Sequence, residues 1–323
     1  MPLNYDSTDS FSATRQEEFE ALRTAHVPRY LFTAWTSAGE LVHSPTGNYM
    51  PVTEYATTHL VPAGFFYAQN ERSAQNVEGQ PFYDQSEANL LVMANAHVNG
   101  QNTPLTEFST WSSSLLGTLF HAASMAHQKE KKVHVTMVDR MRLDGGALFW
   151  HAPDLLGDIG SVHEYLAHGP VRGPGFKTAT WERLIHNGLN KLVPKLKART
   201  NDKYGQDLRA NIFQDAPTQI SDEDIATARQ VAALFGDLEI PATIILLAMS
   251  PRIVTHETGN SKYLRLNELF QGLGRYRSIG ELAEESWLNR KGRIYADSES
   301  LDIKEWVILL YSLASAISIR VIE

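Results

Sequence analysis

Residues able to bind a metal or move a proton come closest together in the run His163-Glu164-Tyr165-Leu166-Ala167-His168, which resembles a zinc-binding helix at a glance. The spacing argues against zinc. Histidines five apart on a helix point about 140° away from each other, whereas a metal helix needs a spacing of four to bring both rings onto one face. The remaining histidines, among them His43, His97, His121, His127, His134 and His186, are scattered without ligand spacing, so no metal is expected. Gly272, Gly274 and Gly280 do not have the spacing of a dinucleotide-binding turn, and no strand precedes them. A phosphate loop, a nucleophile elbow, the protein-kinase set and an HExxH helix are all missing.

Composition removes further classes. The chain has no cysteine, which rules out disulfides, thiolate metal sites and cysteine nucleophiles. A formal net charge of -8 argues against general binding to a nucleic-acid backbone, which needs a basic face. With 43% hydrophobic and 10% aromatic residues, the 323-residue chain can fill more than one core, so two domains are expected. The polar start, with Asp6 and Asp9, is unlike a secretory signal. The apolar stretches 240–249 and 306–319 fall short of the roughly 20 residues a membrane span requires. They read as buried helices, and a cytoplasmic or nuclear protein is expected.

The elements that must position any chemistry can be read along the chain. Residues 16–25 read as an amphipathic helix, and 29–36 as a strand rich in aromatic and β-branched residues. Pro45, Gly47, Pro51, Pro62, Gly64, Gly79 and Pro81 make 37–83 irregular. Ser86 is placed to cap a helix over 86–97, and 108–111 reads as a strand running into a helix capped by Ser112. Residues 132–139 alternate at period two, with Val133, Val135 and Met137 on the apolar face. A short strand follows at 147–151, then short apolar pieces bounded by glycine and proline at 164–169 and 176–180, and a helix over 181–189. Residues 197–217 are polar and read as a boundary. Beyond them helices are expected from Ser221 to Gly236 and over 240–249, 263–271, 278–289 and 303–319.

Four blocks carry a resemblance: Pro28-Arg29-Tyr30-Leu31-Phe32, Phe108-Ser109-Thr110-Trp111-Ser112-Ser113-Ser114-Leu115-Leu116, Val135-Thr136-Met137-Val138-Asp139 and Glu164-Tyr165-Leu166-Ala167-His168-Gly169. Together, over about residues 28–196, they resemble an uncharacterised fungal domain family. Its order of blocks is similar to the arginine–serine–glutamate class of ADP-ribosyltransferases. The fold expected is α+β: a short N-terminal segment over 1–27, an ADP-ribosyltransferase-like mixed sheet domain with flanking helices over 28–205, and an all-α C-terminal module over 217–323.

The resemblance implies NAD as a substrate. Arg29 would clamp the pyrophosphate with its fixed, two-pronged charge. Thr110 and Ser112 would bind the nicotinamide half, with Ser109 as the alternative register. Glu164 would stabilise the positive charge that builds on the ribose and take the acceptor's proton. The acceptor would be a protein, a nucleic acid, a small molecule or water. Val162 stands where arginine-directed transferases carry a second acid, which disfavours protein arginine as acceptor, and Trp111 interrupts the hydroxyl run. Two other readings stand beside this one: a non-catalytic interaction module on a degenerate domain, and an enzyme of specialised metabolism acting on another nucleotide-like substrate.

Overall fold

The computed structural model describes residues 2–36, 41–43, 49–51, 53–62, 64–65, 80–101, 106–127, 132–157, 163–197, 212–253, 301–306 and 309. The architecture is mixed α+β, with an antiparallel sheet and several helices. It divides into two compact units, Met1–Ser113 with Lys129–Thr178, and Ser114–Gln128 with Ala179–Glu323.

The first unit is organised by a six-stranded sheet. Its members are β1 (Tyr30–Thr36), β6 (Phe108–Ser112), β7 (Val133–Asp139), β8 (Leu148–His151), β9 (Glu164–His168) and β11 (Phe176–Thr180). Across the sheet they lie in the order β8-β9-β6-β1-β7-β11. Numbered along the chain within this sheet, that order is 4-5-2-1-3-6. Smaller strands fall in the stretch read as irregular. β2 (Leu41–His43) pairs with β3 (Tyr49–Pro51), while β4 (Thr53–Tyr55) and β5 (His59–Pro62) join β10 (Val171–Arg172) in a three-stranded sheet. Glycine and proline there punctuate short hairpin strands rather than preventing them.

Alternation along the strands sorts the side chains onto two faces. On one face Phe108, Trp150 and Leu166 pack with Phe19, Leu90, Met93 and Leu155. These last come from α1 (Ala13–His26), α2 (Glu87–Val98) and α4 (Ala152–Leu156). On the other face Leu31, Trp111, Val138, Phe149, Tyr165 and Phe176 pack with Leu60 and Val171 of the smaller sheet. Every residue of β7 is buried, His134, Thr136 and Val138 included. The apolar face of Val133, Val135 and Met137 is buried as expected, and the opposite face is buried as well. The polar members find partners instead: Trp35 donates to the Thr136 hydroxyl at 2.8 Å, and the His134 ring stacks on Trp35.

Local signals account for the helix starts. Ser12 and Ser86 accept hydrogen bonds from the backbone N–H groups of Arg15 and Asn89, capping α1 and α2. A buried bidentate pair between Arg15 and Glu87, at 3.0 Å for each bond, ties the two helices together. The expected cap at Ser112 is corrected. Ser112 is the last residue of β6, and it is Ser114 whose hydroxyl accepts from Gly117 N–H at 2.9 Å to open α3 (Leu115–His127).

The second unit is helical. α3 lies against α5 (Trp181–His186) and the 3-10 turn Pro194–Lys197, and α6 (Leu189–Leu192) lies against α7 (Asp222–Ala232). Ser221 and Asp224 close a reciprocal capping box on α7. A 3-10 segment, Ala233–Leu238, turns at Gly236, whose φ of 61° suits glycine, and leads into α8 (Glu239–Leu247). The stretch Asp222–Leu247 is long and apolar enough to cross a membrane by length and composition, and two-thirds of its most apolar window, 67%, is buried inside the protein. Residues 301–306 are helical; Asp302 accepts from the Ser114 hydroxyl at 2.6 Å, and Glu305 accepts from Arg252 N–H at 2.9 Å. The expected helices at 263–271 and 278–289 lie outside the described residues.

At one end of the main sheet, Arg29 donates from Nε and Nη2 to the two carboxylate oxygens of Asp139, both at 2.8 Å. Asp139 is 1% exposed and Arg29 15%, so the pair is nearly removed from water. Gly175 approaches so closely that a Cβ there would collide with the Asp139 carbonyl oxygen. Asp139→Asn leaves the guanidinium buried without its counter-charge, and urea unfolding should register a loss of about 3 kcal/mol, the lower part of the range for breaking a buried pair. A loss below about 0.5 kcal/mol, typical of an exposed pair, would contradict this account.

Candidate functional site

Strand register decides which sequence-predicted residues meet. Ser112 of β6 pairs with Phe32 of β1 on one side and with Glu164 of β9 on the other. Directly paired residues share a face with Cβ atoms about 5 Å apart, so the Ser112 hydroxyl and the Glu164 carboxylate are cross-strand neighbours. Both side chains are half-buried. Thr110, two residues back on β6, shares their face and is exposed.

The site lies where the two halves of the sheet join. β1 and β7 pair along all of Tyr30–Thr36, and β6 and β9 along all of Phe108–Ser112. Between the halves, among the described residues, pairing is given by Phe32↔Ser112. Ser112 therefore stands where β1 and β6 pair, with Thr110 two residues further from that end.

Arg29 enters at the same end of the sheet. It precedes β1 and lies three residues from Phe32, about 10 Å along the strand direction. Its Nε and Nη2 are engaged by Asp139, and its guanidinium carbon lies 5.2 Å from the Tyr30 ring centroid. The fork expected to clamp a pyrophosphate is thus held by a carboxylate of the protein. The alternative register at Ser109 falls on the opposite face. Its hydroxyl accepts from the Trp111 indole at 3.0 Å and reaches the Ala167 carbonyl at 3.5 Å, locked in the core.

Sequence reading missed His97 as a partner of this face. From α2 its Nε2 makes a 2.8 Å hydrogen bond with the Thr110 hydroxyl. The helical periodicity of 86–97 placed the residue, but nothing in the sequence indicated which strand it would meet. His168 also has a role different from the metal pairing tested for it. Lying in β9 rather than on a helix, it is 2% exposed, and its Nε2 is 2.9 Å from Glu107, which accepts from the Gln85 amide at 2.6 Å. His163 and His168, an odd number of residues apart, do not share a strand face. Among the described residues, those whose donor atoms could hold a metal ion are His26, His151 and Asp154.

His97 carries a pH signature. Although the side chain is only half-buried, packing around the imidazole disfavours its charged form and pushes its pKa down to about 4. The unfolded chain titrates near the ordinary value of about 6.5 and so binds the proton first. Stability attributable to this ring is fully present above about pH 6.5 and is lost as pH falls towards about 4. The His97 ring resonance should titrate well below the ordinary value of about 6.5 by NMR, and His97→Phe should flatten the fall in unfolding midpoint between those pH values. An ordinary titration near 6.5 would contradict the assignment. Compared with family models, curated proteins and solved structures, the chain gives no match.

Proposed function

We propose that the first unit binds NAD and breaks its nicotinamide–ribose bond, as an ADP-ribosyltransferase-like transferase or an NAD glycohydrolase. The observation that supports this reading is the register Phe32↔Ser112↔Glu164 over three adjacent strands. It sets a hydroxyl beside a carboxylate at the end of the sheet where Arg29 enters.

The chemistry suits such a pair. When the glycosidic bond breaks, its electron pair leaves with nicotinamide and the ribose becomes an oxocarbenium ion. Glu164 stabilises that charge and accepts the proton released as water or an acceptor group attacks the anomeric carbon. Ser112 and Thr110 hydrogen-bond the nicotinamide half. Arg29 holds the beginning of β1 through Asp139, and its contribution to pyrophosphate binding is made as part of that pair. No metal is needed for this step.

The engagement of Arg29 by Asp139 favours a second reading, an interaction module that has lost NAD binding. Calorimetric titration with NAD and an assay for released nicotinamide separate the two. Under the enzyme reading the wild-type protein binds and consumes NAD, while Glu164→Gln keeps binding within a few-fold and loses turnover by about 100-fold or more. Turnover unchanged in Glu164→Gln removes that residue from the mechanism, and absence of NAD binding by the wild-type protein overturns the NAD reading.

A further inference from the structure

A second constellation lies at the same end of the sheet but on different residues. His26 is the last residue of α1, His151 the last residue of β8, and Asp154 lies in the first turn of α4. His26 Nδ1 is 2.8 Å from Asp154 Oδ2, and His151 Nδ1 is 3.7 Å from that same oxygen. All three donor atoms lie within 4.8 Å of one another. The side chains of His151 and Asp154 are 6% and 16% exposed, that of His26 31%.

We propose that His26, His151 and Asp154 form a binding site for a divalent first-row transition metal, with zinc as the expected occupant. Two imidazoles and a carboxylate are the donor set such ions accept, and harder ions such as calcium and magnesium call for more oxygens. Metal–ligand bonds of about 2.0–2.2 Å in a tetrahedron put ligand atoms about 3.3 Å apart. The 3.7 Å separation is close to that value, the 2.8 Å separation reaches it by opening about 0.5 Å, and the two rings, within 4.8 Å, reach it by closing about 1.5 Å at most. With neutral imidazoles, the three ligands carry one negative charge and leave a dication with a net positive charge. The more exposed His26 side leaves the fourth position to water.

The site is separate from Ser112 and Glu164. His151 pairs with Tyr165, and their rings lie 5.3 Å apart, so His151 shares the face of Tyr165 and not that of its neighbour Glu164. A bound ion joins the end of α1 to the edge strand β8. Elsewhere on α1, Phe19 already makes an edge-to-face contact with Trp150 of β8, at 5.5 Å. The metal thus acts as a staple between elements that hydrophobic packing has brought together.

Zinc chloride titrated by calorimetry into the metal-stripped full-length protein tests this directly, with cobalt absorption as a second signal. The expected result is about one ion per chain and an unfolding midpoint raised by zinc. His26→Gln, a change at the most exposed ligand, should weaken binding beyond the roughly 10–100-fold seen for loss of an outer-shell partner. Asp154→Asn, nearly isosteric, should do the same, while exposed His186→Gln should bind like the wild type. Circular dichroism establishes that each variant is folded. The proposal is overturned if the wild-type protein binds no zinc, or if folded His26→Gln and Asp154→Asn bind it as tightly as the wild type. These readouts do not involve NAD, so they stand apart from the outcome of the Glu164 test.

Discussion

A carboxylate that is 1% exposed has to be answered by a cation, and Asp139 is answered by Arg29. Taking either charge out of water costs several kcal/mol, which only close, two-pronged contact offsets. The start of β1 is thereby fixed against the end of β7, and the seven-residue register from Tyr30↔Asp139 to Thr36↔Val133 follows from that anchor. Register in turn decides every face, because a slip of one residue would turn each side chain of β1 over. Phe32 lies opposite Ser112 only in this alignment, and Ser112 brings Glu164 with it through β9.

The same alternation separates two polar clusters at one end of the sheet. Thr110, Ser112 and Glu164 share a face with the aromatic core under α1 and α2, where Phe108 and Leu166 lie. Their neighbours Trp111 and Tyr165 turn to the other core, and His151 goes with Tyr165. Polar groups at this end are held by rigid strand neighbours rather than by long loops, so their positions vary little once the sheet has formed. Arg29 illustrates the associated constraint. A guanidinium that secures the architecture through Asp139 cannot also be a fully independent anion receptor, and any phosphate it meets must compete with, or add to, an existing partner.

Much of this architecture was legible from residue patterns, for reasons that particular elements make clear. α2 followed from Ser86 and the apolar spacing behind it, and β1 from aromatic and β-branched residues. Buried strands are harder. β7 alternates in sequence, yet all of its residues are buried, and Trp35 and Thr178 supply partners for His134 and Thr136 that only tertiary structure provides. Ser112 and Ser114 are equally good caps by type; the strand's reach to Ser112 gives the role to Ser114. The proline- and glycine-rich stretch after β1 concealed strands of three or four residues, too short for periodicity to register.

Sites differ from elements in what sequence can reveal, and the two constellations make the contrast concrete. Arg29, Ser112 and Glu164 were singled out through a resemblance in the order of blocks, which carries information about neighbouring strands. His26, His151 and Asp154 have no such ordering. His151 and Asp154 are three apart, but they span the junction between β8 and α4, so neither helical nor strand spacing describes them. His26 comes from the far end of α1 and joins them only because Phe19 and Trp150 dock that helix on the edge of the sheet. A polar cluster drawn from three elements is an outcome of packing. The packing is in turn an outcome of the apolar residues, so a side-chain cluster of this kind leaves no trace in residue spacing.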